Sequence, residues 1–169
     1  MQFFKALTAA YFDVERGKLE AMRQVFTKAP RIILIGNGGS AAIASHIAQD
    51  YTNLGKKTAI CFNDAAAMSC TANDYGWDQV FAQQLKFHAQ VGDVLVAISS
   101  SGRSQNILNA VTAAHAMGLE VVTVSGFDKD NPLRSMGIVN HWIDSHSYGI
   151  VELTSEAILH SMIGVMCDN

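Results

Sequence analysis

Residues 32–40, Ile-Ile-Leu-Ile-Gly-Asn-Gly-Gly-Ser, restrict what this chain can fold into more than any other stretch. A short apolar run rich in β-branched residues stops at glycines, a serine follows, and a helical pattern starts at Ala41. That is a buried strand, a tight turn and a helix N-terminus. Glycine lets the backbone come close to a bound group. The first turn of a helix has free N–H groups and a partial positive charge, so the turn suits an anion. The plainer reading is an ordinary strand-to-helix connection, and the stretch alone does not choose between the two.

Apolar spacing organises the rest. Residues 3–27 read as one long helix, with Phe4, Leu7, Tyr11, Val14, Leu19, Met22 and Phe26 at helical steps. Such a helix must bury its apolar face on the domain or on a second subunit. Pro30 marks the boundary before the first strand. Strands are expected at 31–35, 57–62, 94–98, 120–124 and 138–143, and helices at 40–53, 77–89, 104–117 and 149–166. Residues 63–74 suit a short helix and a loop. The alternation implies an α/β, three-layer αβα sandwich around a five-stranded, mostly parallel sheet of flavodoxin or Rossmann type. One domain is expected over 1–169, with 1–29 a packing helix and 30–169 the core; there is no repeat and no linker.

Hydrophobic residues at 49% against 16% charged exclude a disordered chain. A net charge of −3 without a long basic run disfavours a nucleic-acid face. No apolar run approaches the roughly 18 residues that cross a bilayer, so no membrane partner is expected. The N-terminus lacks the basic-then-apolar pattern of a signal peptide, which points to the cytoplasm. Cys61, Cys70 and Cys167 form no C-x-x-C pair and read as three buried thiols in a reducing compartment.

In parallel sheets, ligands bind outside the carboxyl ends of the strands. Two loops lie there, 36–40 and 99–104. The second, Ser99-Ser100-Ser101-Gly102-Arg103-Ser104, offers four hydroxyls and several N–H groups just before a helix. Together they suit the outer oxygens of a phosphate monoester. A helix cap needs one serine; three are surplus. Arg103 could add charge, although an arginine at a loop tip is more often solvated. A rival reading exists, because Gly36-x-Gly38-x-x-Ala41 fits the dinucleotide fingerprint and Asp64 follows the second strand, where a ribose-binding acid sits. The P-loop pattern is absent.

His46 and Asp50 are four apart on the helix after the glycine turn, and Glu152, Glu156 and His160 are successively four apart on the last helix. If these helices meet near the strand ends, imidazoles and carboxylates converge. That set could shuttle a proton between neighbouring carbons of a sugar phosphate, or bind a divalent metal such as zinc. Separately, each residue is an ordinary helix-surface acid or a hydrogen-bonded histidine.

The motifs in order, Gly36-Asn37-Gly38-Gly39-Ser40, Asn73-Asp74-Tyr75-Gly76-Trp77, and Gly92-Asp93-Val94-Leu95 leading into Ile98–Ser104, resemble those of the sugar isomerase (SIS) domain family. Within that family the chain resembles the bacterial phosphoheptose isomerases along nearly its whole length. The resemblance implies phosphosugar binding rather than a nucleotide cofactor. It implies conversion of sedoheptulose 7-phosphate to D-glycero-D-manno-heptose 7-phosphate through an enediol-type intermediate, in a homotetramer with shared active sites. The serine loop would hold phosphate through Ser99, Ser100, Ser101 and Ser104. Asn37, Gly38, Gly39 and Ser40 would line the sugar, with Asn73 and Asp74 near its hydroxyls. The family's first histidine matches His46, its catalytic glutamate falls on Asp50, a glutamine falls on Glu152, and its final catalytic histidine matches His160. The catalytic set so implied is Asp50, Glu152 and His160. Some members bind zinc through the quartet His46, Asp50, Glu152 and His160.

Two departures stand out. Asp50 is one methylene shorter than the family's glutamate, and a base displaced by about 1 Å costs on the order of a hundredfold in rate. Glu152 puts a carboxylate where the family has an amide, which favours a metal. A regulatory SIS relative that binds the replication initiator protein is the alternative. It shares elements resembling Ser40-Ala41-Ala42 and His46 but lacks the final histidine and the base, so His160 and an acid at 50 favour an enzyme. A phosphosugar-sensing module without chemistry is a third possibility.

Overall fold

The computed structural model describes residues 1–167, with side chains to residue 164. Five strands, β1 (Ile32–Ile35), β2 (Ala59–Cys61), β3 (Val94–Ser99), β4 (Glu120–Ser125) and β5 (Val139–Trp142), form one sheet in the order β2-β1-β3-β4-β5. Every neighbouring pair is parallel. The helices are α1 (Gln2–Phe12), α2 (Arg16–Lys28), α3 (Gly39–Asn53), α4 (Ala65–Tyr75), α5 (Val80–His88), α6 (Gln105–Ala116) and α7 (Tyr148–Cys167).

The central strands β1 and β3 are buried along their whole length, which is why they read as unbroken apolar runs. Alternate side chains go to opposite faces. Ile32, Leu34, Val94 and Val96 pack with α2, α3 and α7, while Ile33, Ile35, Leu95 and Ala97 pack with α5 and α6. Each of these valine, leucine and isoleucine side chains contributes about 1.5–3 kcal/mol on full burial. At the amino ends of the strands, Asp93 takes Arg31 Nη2 at 2.5 Å and the Gln90 N–H at 2.8 Å. Its side chain is almost wholly buried, so the Gly92-Asp93 turn is held by a charged pair.

Several boundaries differ from the sequence reading. The single N-terminal helix is two helices. Asp13 caps the first, and Glu15 is extended (φ −73°, ψ 113°) ahead of the second. Helical spacing continues through both halves, but the chain bends at residues 13–15 so that α1 lies on α7 and α2 lies on both α7 and β5. β2 is only three residues long, as suits an edge strand. Residues 63–74 are mostly helix α4, and a 3₁₀ turn, Trp77–Gln79, precedes α5. Asp64 accepts the Ala67 N–H at 2.8 Å as the N-cap of α4, which gives that acid a structural role in place of the ribose-binding one. The thiols are not all buried. Cys70 is exposed and Cys61 half-buried, and the Cys167 side chain lies outside those described. No helix among the described residues is long and apolar enough to cross a membrane.

The strand order reverses direction between β1 and β3, and a cleft opens there at the carboxyl ends. The loops that leave these two strands are the glycine turn and the serine loop.

Candidate active site

The serine loop starts where β3 ends and finishes at Ser104, the N-cap of α6. Gly102 has φ +61°, a left-handed conformation that suits glycine, and a side chain there would also collide with the Asn131 amide. Ser99 Oγ donates to Ser104 Oγ at 3.4 Å, and Ser101 Oγ accepts the Arg103 N–H at 3.2 Å. Arg103 turns outward to Asp130 (3.1 Å) and Asp128 (3.7 Å), so it is spent on surface ion pairs.

The two loops are tied together. Asn37 Nδ2 donates to Asn106 Oδ1 at 2.9 Å, and Asn106 Nδ2 returns a bond to Asn37 Oδ1 at 3.0 Å. This reciprocal amide pair fixes the spacing of the glycine turn against α6. Asn106 is buried at the start of α6, and no pattern in the sequence marks it. Between the loops lies a cavity of about 260 Å³ lined by Asn37, Gly38, Gly39, Ser40, Ser99, Ser100, Ser101, Ser104, Tyr148 and Glu152. Eight of the expected ligand-binding residues therefore share one cradle. Asn73 and Asp74 do not; they sit exposed near the end of α4, with Asn73 Nδ2 donating to Asp74 Oδ1 at 2.9 Å.

Helices α3 and α7 meet beside the cradle. Tyr51 donates its hydroxyl to the Leu159 carbonyl at 2.8 Å and fixes their approach. Burial pushes the Tyr51 phenol well above its ordinary value, so it stays a neutral donor. The approach sets the His46 and His160 rings 5.0 Å apart, edge to face. Four side chains then alternate in a ring. His46 Nδ1 lies 2.8 Å from Glu156 Oε1, and His46 Nε2 lies 3.3 Å from Asp50 Oδ2. His160 Nδ1 lies 3.8 Å from Asp50 Oδ2, and His160 Nε2 lies 3.8 Å from Glu156 Oε1.

Glu152 is not one of the four. Its carboxylate lies against Gly39 at the N-terminus of α3, where a side chain at residue 39 would collide with it. It lines the cradle between the loops and also an adjoining groove of about 390 Å³ that contains His46 and Glu156. So Glu156 takes the place among the histidines that the expected quartet gave to Glu152. Helical spacing marks both glutamates equally; the crossing of α7 over α3 separates them. Two imidazoles with carboxylates are a donor set that fits zinc or a similar divalent ion, and ligand atoms of His46, Glu156 and His160 all lie within 4.8 Å of one another.

Residues 12–126 match the SIS domain family, and the chain belongs to that family. Its relatives narrow the comparison. A phosphoheptose isomerase of Coxiella burnetii is 33% identical over 155 residues, 87% of this chain and 78% of that protein. One from Thiobacillus denitrificans is 45% identical over 102 residues, but the alignment spans 52% of its length and 57% of this chain. The solved phosphoheptose isomerase GmhA of Neisseria gonorrhoeae superposes with a TM-score of 0.88 at 26% identity, covering 98% of this chain and 95% of that one.

Proposed function

We propose that this protein is an aldose–ketose isomerase converting sedoheptulose 7-phosphate to D-glycero-D-manno-heptose 7-phosphate. One observation carries the reading: a four-serine cradle and an imidazole–carboxylate ring share one cleft, and Glu152 lines the walls of both. The phosphate sits on Ser99, Ser100, Ser101 and Ser104, with helix α6 behind it. The sugar runs past Asn37 and Ser40 towards α7. An acid–base pair, Asp50 or Glu152 with His160, moves the proton between C1 and C2. A divalent metal, zinc for instance, held at the two histidines would polarise the substrate carbonyl.

Exposed Phe4, Phe12, Tyr148 and Leu153 give α1 and α7 apolar surface that a homotetramer would cover. A single SIS domain acting in the cytoplasm completes the proposal.

The test is an NMR assay of purified protein with sedoheptulose 7-phosphate, alone, with zinc and after chelation. Appearance of the aldose phosphate is expected. Retained sugar-phosphate binding without turnover would refute the isomerase and leave a non-catalytic regulator or sensor.

A further inference from the structure

A second cavity lies on the far side of α7 from the proposed active site. The bend at residues 13–15 lays α1 on α7 and α2 on both α7 and β5. Between these helices, β5 and the 3₁₀ turn Pro132–Ser135 is a cavity of about 460 Å³, larger than the serine cradle. The volume falls in the range of small-molecule pockets, about 300–1,000 Å³. On the α1 side it meets Ala6, Ala9 and Ala10, side chains too small to fill it. At 3.6 residues per turn, α7 turns Ile150 and Ile158 into this cavity and Glu152, Glu156 and His160 the opposite way.

The wall is apolar at Ile143, Ile150 and Ile158, all buried, and polar where β5 meets the 3₁₀ turn. His141 is 3% exposed, and its Nε2 has no partner. Trp142 Nε1, which can only donate, is also buried without an acceptor. Arg134 lies over the Trp142 ring at 4.2 Å and donates to the Lys129 carbonyl, and it forms no ion pair among the described residues. Buried polar groups left unpaired are costly, and these residues line a cavity. An unpaired guanidinium beside an indole N–H calls for a negatively charged acceptor. Three acids also line the cavity, but Asp13, Glu15 and Asp144 are exposed, where water and salt screen them, and Lys18 stands 2.7 Å from Glu15. We infer that this cavity binds a small amphipathic carboxylate, its acid group on Arg134 and its carbon skeleton against Ile143, Ile150 and Ile158. The site is separate from the isomerisation proposed above and does not depend on it.

The test uses the full chain and the probe 3-phenylpropionate, with uncharged 3-phenylpropionamide beside it. The chain has two tryptophans, so Trp77→Phe leaves Trp142 emission as the reporter of this site. A saturable change with a Kd of about 1 mM or tighter is expected for the acid, and at least about tenfold weaker binding for the amide. Arg134→Gln is expected to erase that preference. Ala9→Leu, at an exposed position on the cavity wall, is expected to weaken both probes by about tenfold or more by filling the space. Sedoheptulose 7-phosphate is expected not to displace the acid, since its proposed cradle lies across α7. Equal affinity for acid and amide would overturn the inference, leaving an apolar hole without charge recognition. Full affinity for the acid in both Arg134→Gln and Ala9→Leu, or displacement by the sugar phosphate, would put the probe elsewhere and overturn it too. So would no binding of the acid at up to about 10 mM. The isomerase is judged apart from all of these, by the NMR assay.

Discussion

Glu152 and Gly39 form the contact on which the proposed chemistry turns. The carboxylate occupies the space that a side chain at residue 39 would fill. Gly39→Ala should fold, because the obstacle is the end of a flexible side chain, but it should push Glu152 out of the cleft. Circular dichroism should be unchanged while kcat falls. His160→Ala should lower kcat by about 10²–10⁴-fold with little change in phosphate affinity, whereas Glu152→Gln restores the family's amide and should leave most of the turnover in place. An unaltered kcat in His160→Ala would remove that histidine from the proton transfer. Ser101→Ala should act in the opposite sense, weakening substrate binding by about 1.5–3 kcal/mol for a lost hydrogen bond to a charged group. Titration with inorganic phosphate or the substrate checks it. Sequence spacing could not separate Glu152 from Glu156, because both recur at four-residue steps. The distinction depends on where α7 crosses α3.

Among the elements, β1 and β3 were legible because both faces are covered, which demands continuous apolar runs. The two loops followed from the rule that ligands bind at the carboxyl ends. The break between α1 and α2 was not legible, because helical periodicity survives a bend when both halves bury the same face. The structural role of Asp93 was also hidden. Its partner, Arg31, is 62 residues away in sequence and reaches it only because β1 and β3 pair in register. Asp93→Ala should cost on the order of 3–5 kcal/mol, since it leaves Arg31 half-buried beside a lost partner. Urea unfolding would read this, and a cost below about 1 kcal/mol, that of an exposed pair, would contradict it.

At the scale of the whole molecule, a buried pH-sensitive group lies away from the proposed active site. His141 on β5 is buried against the N-terminal helices, and burial pushes its pKa from 6.5 down to about 4, with the Lys18 charge adding to the effect. The unfolded chain binds this proton more readily than the fold does between those values. Its contribution is therefore fully present above pH 6.5 and is lost as pH falls towards 4, by on the order of 2–3 kcal/mol. Unfolding midpoints at pH 7 and pH 4.5 should differ more for the unaltered protein than for His141→Leu. Equal differences would place the acid sensitivity elsewhere.

The fold, the serine cradle and the paired histidine helices combine into one claim, that this chain moves a proton between adjacent carbons of a bound sugar phosphate. The most direct measurement is proton NMR of sedoheptulose 7-phosphate incubated with the protein in deuterium oxide. An enediol route predicts aldose phosphate carrying solvent deuterium at C2, formed by the unaltered protein and suppressed in His160→Ala. Substrate that binds yet gains no deuterium and yields no aldose over many hours would contradict it.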